Sequence, residues 1–212
     1  MKKIVVAILC IMLCSVLVSA ASQFVLKVSS DDPITKEQAK EDLKAHPFVL
    51  YFKLGVYYFY SGKFTDAIGA FKKAIDLKPD FAEAYHNIGV SYHEMGNVEE
   101  SIGYFEKSVD VNKEYLRGYF SLGLAYYETK EYAKALEAFN KLTEIDDKNA
   151  QAFFNLAIIS VEKFREEGEN NIEELKQGLF YYNKCLELDS SYPHSQQNKE
   201  IVEKVLNELT TQ

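Results

Sequence analysis

Four histidines and one internal cysteine are the residues of this sequence best equipped for chemistry. His86 and His93 lie seven residues apart, which on a helix is two turns or roughly 10 Å, too far for the two imidazoles to share one ion. Glu83 could join His86, and Asn87 or Glu94 could add an oxygen, but solvated imidazoles are the simpler reading. His46 and His194 flank prolines at segment ends and have no companion ligands. Cys185 sits in Tyr-Asn-Lys-Cys-Leu-Glu, where little cationic charge is at hand to draw out a thiolate, so a structural thiol is expected. Nothing in the chain spells a glycine-rich phosphate loop, an HExxH helix or an ordered Ser-His-Asp series. The expectation is no catalytic residue, no cofactor, no metal and no enzyme.

The elements around these residues repeat. Gly55, Gly89 and Gly123 fall 34 residues apart, and Phe71, Phe105 and Phe139 keep the same interval. A fixed period of this length marks a chain built by stacking one small unit. The units run 48–81, 82–115 and 116–149. Each opens with apolar residues at helical spacing, such as Tyr85, Ile88, Gly89 and Tyr92. A break follows at Gly62, Gly96 or Lys130, where a helix would end in a left-handed residue. A second helical pattern comes next, as in Ile68, Phe71, Ala74, Ile75 and Leu77. Each unit is thus a helical hairpin whose apolar face its neighbours must cover.

A fourth unit, 150–192, continues with Phe153, Leu156, Ala157 and Ser160, but its second aromatic, Tyr182, comes 43 residues after Phe139. Nine residues have been inserted. The insertion keeps apolar positions at Val161, Phe164, Ile172 and Leu175 around a polar tip, which predicts a taller hairpin rather than a loose loop. Its first helix should reach about Glu167, and Asn171 should cap the second, with Glu174 closing a capping box. Residues 193–212 read as a final helix with Ile201, Val202, Val205, Leu206 and Leu209 on one stripe, an amphipathic cap.

Residues 48 to about 192 match a known pattern of repeats, and to 210 with the cap. The first unit supplies Tyr51, Leu54-Gly55, Tyr58, Ala67, Phe71, Ala74 and Pro79. The second gives Tyr85, Ile88-Gly89, Tyr92, Ser101, Phe105 and Ser108, with Lys113 in place of the proline. The third gives Tyr119, Leu122-Gly123, Tyr126, Ala135 and Phe139, with a bulky Leu142 where the last alanine belongs. The chain resembles the tetratricopeptide-repeat family. That resemblance implies an all-α fold, a right-handed superhelical solenoid of helix-turn-helix repeats, here with a C-terminal capping helix. It also implies a concave surface lined by set positions of each first helix. Those positions carry Phe52, His86, Phe120 and Phe154; Val56, Val90, Leu124 and Ile158; and Phe59, His93 and Tyr127. Polar residues among them are Lys53, Asn87, Arg117, Ser121 and Asn155. Family members often carry a polar residue where the aliphatic row stands, so the resemblance points to an apolar groove for a protein or peptide segment with apolar anchors. Co-chaperones of the family grip a C-terminal carboxylate with lysines, asparagines and an arginine. Two of those positions here are Phe52 and Val56, and Ser121 replaces the last basic residue, so that clamp is not expected.

The ends of the chain bear on compartment. Met1-Lys2-Lys3 precedes an apolar or small run over residues 4–20, which reads as a secretory signal peptide, with Ala20 or Ala21 near the cut. If retained, the same run is a short membrane anchor. Residues 21–47 read as a leader with a short helix, where Thr35 and Gln38 resemble a capping box. The formal charge of −8 becomes more negative without Lys2 and Lys3, which argues against a nucleic-acid partner. Without residues 1–20 only Cys185 remains, so no internal disulfide can form. The expected protein is an exported scaffold, periplasmic or otherwise extracytoplasmic. The alternatives are a membrane-anchored assembly factor of envelope machinery and, less favoured, a small-ligand protein or enzyme using the taller hairpin. The oligomeric state is not legible.

Overall fold

Small residues at set positions let two helix backbones approach, and that approach builds the first, second and fourth hairpins. The structure, a computed structural model, describes residues 46–168 and 171–211. The expected signal peptide, nearly all of the leader with its capping box, and residues 169–170 at the hairpin tip lie outside them. Among the described residues there are nine α-helices and no strand. They divide into two compact units, with the boundary between Ala125 and Tyr126.

The first unit holds α1 (Pro47–Tyr60), α2 (Phe64–Leu77), α3 (Ala82–Glu94), α4 (Val98–Val111) and most of α5 (Leu116–Glu128). Consecutive helices pack on one another, α1 on α2, α2 on α3 and α3 on α4. Pro47 takes the first turn of α1, where its missing N–H costs nothing. A Cβ at Gly55 would stand 2.5 Å from the Phe71 ring, and one at Gly89 would stand 2.6 Å from Phe105 and 3.1 Å from the Ser101 carbonyl. Gly55 and Gly89 are therefore contact points for Phe71 and Phe105. In the second hairpin Ser101 and Ser108 replace alanines, and their buried hydroxyls donate to the Val98 and Phe105 carbonyls one turn back.

The expected breaks are where the chain turns. Gly62 and Gly96 have φ of 71° and 78°. At each, two backbone N–H groups reach back into the finished helix: Gly62 to Phe59 and Lys63 to Tyr58, then Gly96 to His93 and Asn97 to Tyr92. This is the paired bonding that satisfies the last carbonyls of a helix. Lys130 makes the same turn at φ 63°, a conformation a lysine adopts only under such constraint.

The second unit runs from the end of α5 through α6 (Tyr132–Ile145), α7 (Ala150–Glu166), α8 (Ile172–Leu188) and α9 (Ser195–Thr210). The fourth hairpin is taller, as its apolar spacing requires: α7 and α8 each have 17 residues, against 14 in α1 and α2. Gly178 provides the close approach here, 2.9 Å from Val161 and 3.2 Å from the Ala157 carbonyl for a built Cβ. Helix α7 is buried along most of its length, and Val202 and Leu206 of α9 complete the core that it forms with α8.

One expectation fails in detail. Helix α8 does start after Asn171, but the Asn171 side chain does not cap it; its amide lies 3.3 Å from Glu167 instead. Glu174 does not close a box, because its carboxylate is taken by Lys163 of α7. Lys130 to Glu166 at 2.9 Å and Arg165 to Glu162 at 2.5 Å add further ion pairs along the extension.

The glycine contacts can be tested by contrast. Alanine is the better helix former by about 1 kcal/mol, and Gly69 in α2 has open space around it. Gly69→Ala should raise the thermal midpoint. Gly89→Ala should lower it, because crowding a packed core costs about 1–3 kcal/mol. Thermal melts followed by circular dichroism give the order, and a higher midpoint for Gly89→Ala would remove the contact argument.

Candidate peptide-binding surface

In the first unit, the helix positions expected to line a groove divide by burial. Phe52, Lys53, Val90, His93, Ser121 and Leu124 are half-buried, and Arg117 is exposed. Val56, Phe59, His86, Asn87 and Phe120 are buried, with Phe120 only 1% exposed. In the second unit Tyr127 is half-buried, while Phe154, Asn155 and Ile158 are buried. The aliphatic row of Val56, Val90, Leu124 and Ile158 is thus not open throughout: Val90 and Leu124 present surface, and Val56 and Ile158 belong to the core.

A second set of aromatics explains this. Phe81, Tyr115 and Tyr192 stand in the links between hairpins. Phe81 packs on Phe52 at 4.9 Å, Tyr115 on His86 at 5.6 Å, and Tyr192 on Phe154 at 5.0 Å. Each of those partners also touches the aromatic of its own second helix, Phe71, Phe105 or Tyr182, at 5.4 to 6.0 Å. The row that begins at Phe52 is therefore glue within the hairpins. The sequence reading missed the link aromatics, although Phe81 and Tyr115 keep the 34-residue interval and were visible as such.

His86 corrects an expectation. The imidazole expected to be solvated is 5% exposed and fills the place that Phe52, Phe120 and Phe154 fill in other repeats. Its Nε2 lies 2.9 Å from the Ser121 hydroxyl, which joins α3 to α5 within the first unit. Burial pushes its pKa down to about 4, the Asn87 amide partly opposes that shift, and the Arg117 charge adds to it. The imidazole is neutral at pH 7. Burial likewise raises the Tyr115 phenol. Cys185 is fully buried, with its Sγ 3.3 Å from the Ser195 hydroxyl, and burial pushes its thiol up, so it stays a protonated core residue. Among the described residues no three His, Cys, Asp or Glu side chains gather in a metal-binding group.

Hairpins of this length, with glycine against phenylalanine and small residues at each approach, define a class. A family model described as the TPR repeat matches residues 55–96, and a second, the tetratricopeptide repeat, matches residues 80–148. Residues 55–148 of this chain are thus tetratricopeptide repeats. Solved structures agree on the fold. A crystal structure of MamA is 27% identical, with a TM-score of 0.59 over 73% of this chain and 86% of that one. YrrB, described as a TPR protein with an unusual peptide-binding site, is 18% identical, with a TM-score of 0.60 over 77% of this chain and 81% of its own. The first TPR of Spaghetti (RPAP3), bound to the HSP90 peptide SRMEEVD, is 22% identical, with a TM-score of 0.51 over 54% of this chain and 94% of its own. No protein of curated function matches the sequence.

The buried histidine makes stability depend on pH with a definite sign. Its folded pKa lies below the ordinary 6.5, so the unfolded chain takes up the proton first as pH falls. The contribution is complete above about pH 6.5 and is lost on the way down to pH 4, by up to about 3 kcal/mol. His86→Phe, which installs the side chain of the other repeats, should remove this acid limb. The gap in urea midpoint between variant and parent should therefore widen from pH 7 to pH 4.5, and a gap independent of pH would overturn the reading.

Proposed function

We propose that this protein is a non-enzymatic scaffold that holds a protein or peptide segment against the first helices of its hairpins. The observation that carries the proposal is that Val90 and Leu124, one repeat apart in the first unit, remain half-exposed while the rest of their row is core. Aliphatic side chains left partly in water at equivalent positions suit apolar anchors of a guest, and Arg117 and Lys53 supply charge to orient it. The peptide complex of the RPAP3 domain and the peptide site named for YrrB support this use of the fold. The acidic HSP90 tail itself is not proposed as the guest, because Phe52, Val56 and Ser121 stand where the family's clamp needs polar or basic groups.

Photo-crosslinking tests the surface. A photoreactive residue at Leu124 should capture a protein in the cell, while the same residue at exposed Lys72 on α2 should not. Val90→Ser should lower the Leu124 yield at least fivefold with helicity retained. Equal capture at both positions, or a yield indifferent to Val90→Ser, would end the proposal.

The protein is further proposed to act outside the cytoplasm. The support is the sequence of residues 1–21 alone, a basic start, an apolar run and a small-residue exit. No described helix is long and apolar enough to cross a membrane, so attachment, if the run is retained, rests on residues 4–20. N-terminal sequencing of the native protein should begin near Ala21 or Ser22. An intact Met1 in the membrane fraction would favour the anchored alternative.

A further inference from the structure

The last contact of the stack differs from the others in one atom. Phe71, Phe105 and Phe139 fill the core position of the second helix in the first three hairpins, and Tyr182 fills it in the fourth. The ring is fully buried, so the structure places a phenol oxygen where the other repeats have only carbon. Asn198 of α9, itself 5% exposed, stands one turn beyond Ser195, and Tyr182 stands one turn before Cys185, the residue whose thiol Ser195 meets, so the two face the same seam. Neither the Tyr182 oxygen nor the Asn198 Nδ2 has a hydrogen-bond partner among the described residues. A buried polar group left unsatisfied destabilises the fold, and here two such groups lie in one seam.

The register of α9 follows from the repeat itself. Ser195, Asn198 and Val202 lie 43 residues after Ala152, Asn155 and Ile159 of α7, the same interval that separates Phe139 from Tyr182. Helix α9 is therefore the first half of a fifth hairpin, docked on α8. Its Ser195 hydroxyl meets the Cys185 thiol of α8. The equivalent positions of α1 are Leu50, Lys53 and Tyr57. A second copy offering α1 to α8 would bring a leucine to the place of Ser195 and an ammonium to the place of Asn198.

We propose that Tyr182 and Asn198 form a buried polar lock that fixes α9 in one register on the fourth hairpin. The Asn198 amide donates to the phenol oxygen when a small side-chain rotation closes the gap. An apolar helix, or α9 displaced by one turn, leaves the phenol unpaired and is rejected. The lock selects its own cap and excludes other amphipathic helices that an all-carbon surface would accept.

A double-mutant cycle on the full chain tests this. Tyr182→Phe strands the amide, and Asn198→Leu strands the phenol. Each should lower hydrogen-exchange protection of α9 amides at least tenfold while protection in α1 to α4 stays unchanged. The double variant, apolar on both sides, should recover to within about threefold of the parent. Unchanged protection in either single variant, or losses that simply multiply in the double, would overturn the proposal. Because phenylalanine already occupies this position in three hairpins, Tyr182→Phe preserves the shape of the core and keeps the test readable.

Discussion

Everything in this molecule depends on how closely two helices of a hairpin can approach. The distance is set where Gly55 meets the face of Phe71 and Gly89 meets Phe105, leaving no room for even a methyl group. With backbones that near, the aromatic rings have only a few places to go, and they fill the seams between successive helices. The fourth hairpin obtains the same approach from the opposite helix, with Gly178 of α8 against Val161 and the Ala157 carbonyl of α7. The exchange of glycine from first helix to second keeps the separation while the hairpin grows taller.

Once the approach is fixed, the side chains around it lose their independence. Phe52, His86 and Phe154 are held between an aromatic of their own hairpin and one from the following link. A histidine can stand in such a place only as the neutral species with a partner, which Ser121 supplies. Ser101 and Ser108 solve the same problem locally by returning their hydroxyls to their own helix. At these three positions the core tolerates a polar atom because each has somewhere to bond. Of the positions expected to line a groove, Phe52, Lys53, Val90, His93, Ser121, Leu124 and Tyr127 keep partial exposure and Arg117 is exposed.

How much of this could be read from the residues depended on the range of the interaction. The hairpins, the left-handed turns at Gly62, Gly96 and Lys130, and the taller fourth unit all follow from spacing within some twenty residues, and the sequence carried them. The Asn171 cap failed because Glu174 had a competitor, Lys163, which no local rule weighs. The groove was only half legible for the same reason. Whether Phe120 or Ile158 meets solvent is decided by residues from other helices, and their helical positions alone do not reveal it. His86 looked like a surface group because it is polar, but the same position holds phenylalanine in three other repeats, and that comparison was the better guide.

The burial of α7 along most of its length has a kinetic meaning. In a one-dimensional stack each hairpin is held by its own contacts and those of its neighbours, so local opening costs least where least is buried. Helix α1 has half-buried residues over much of its surface, whereas α7 has eleven buried residues among its seventeen. Amides of the fourth hairpin should then belong to the slowest-exchanging cooperative unit, and the first hairpin to a faster one. Adaptability would then belong to the first hairpin and permanence to the fourth.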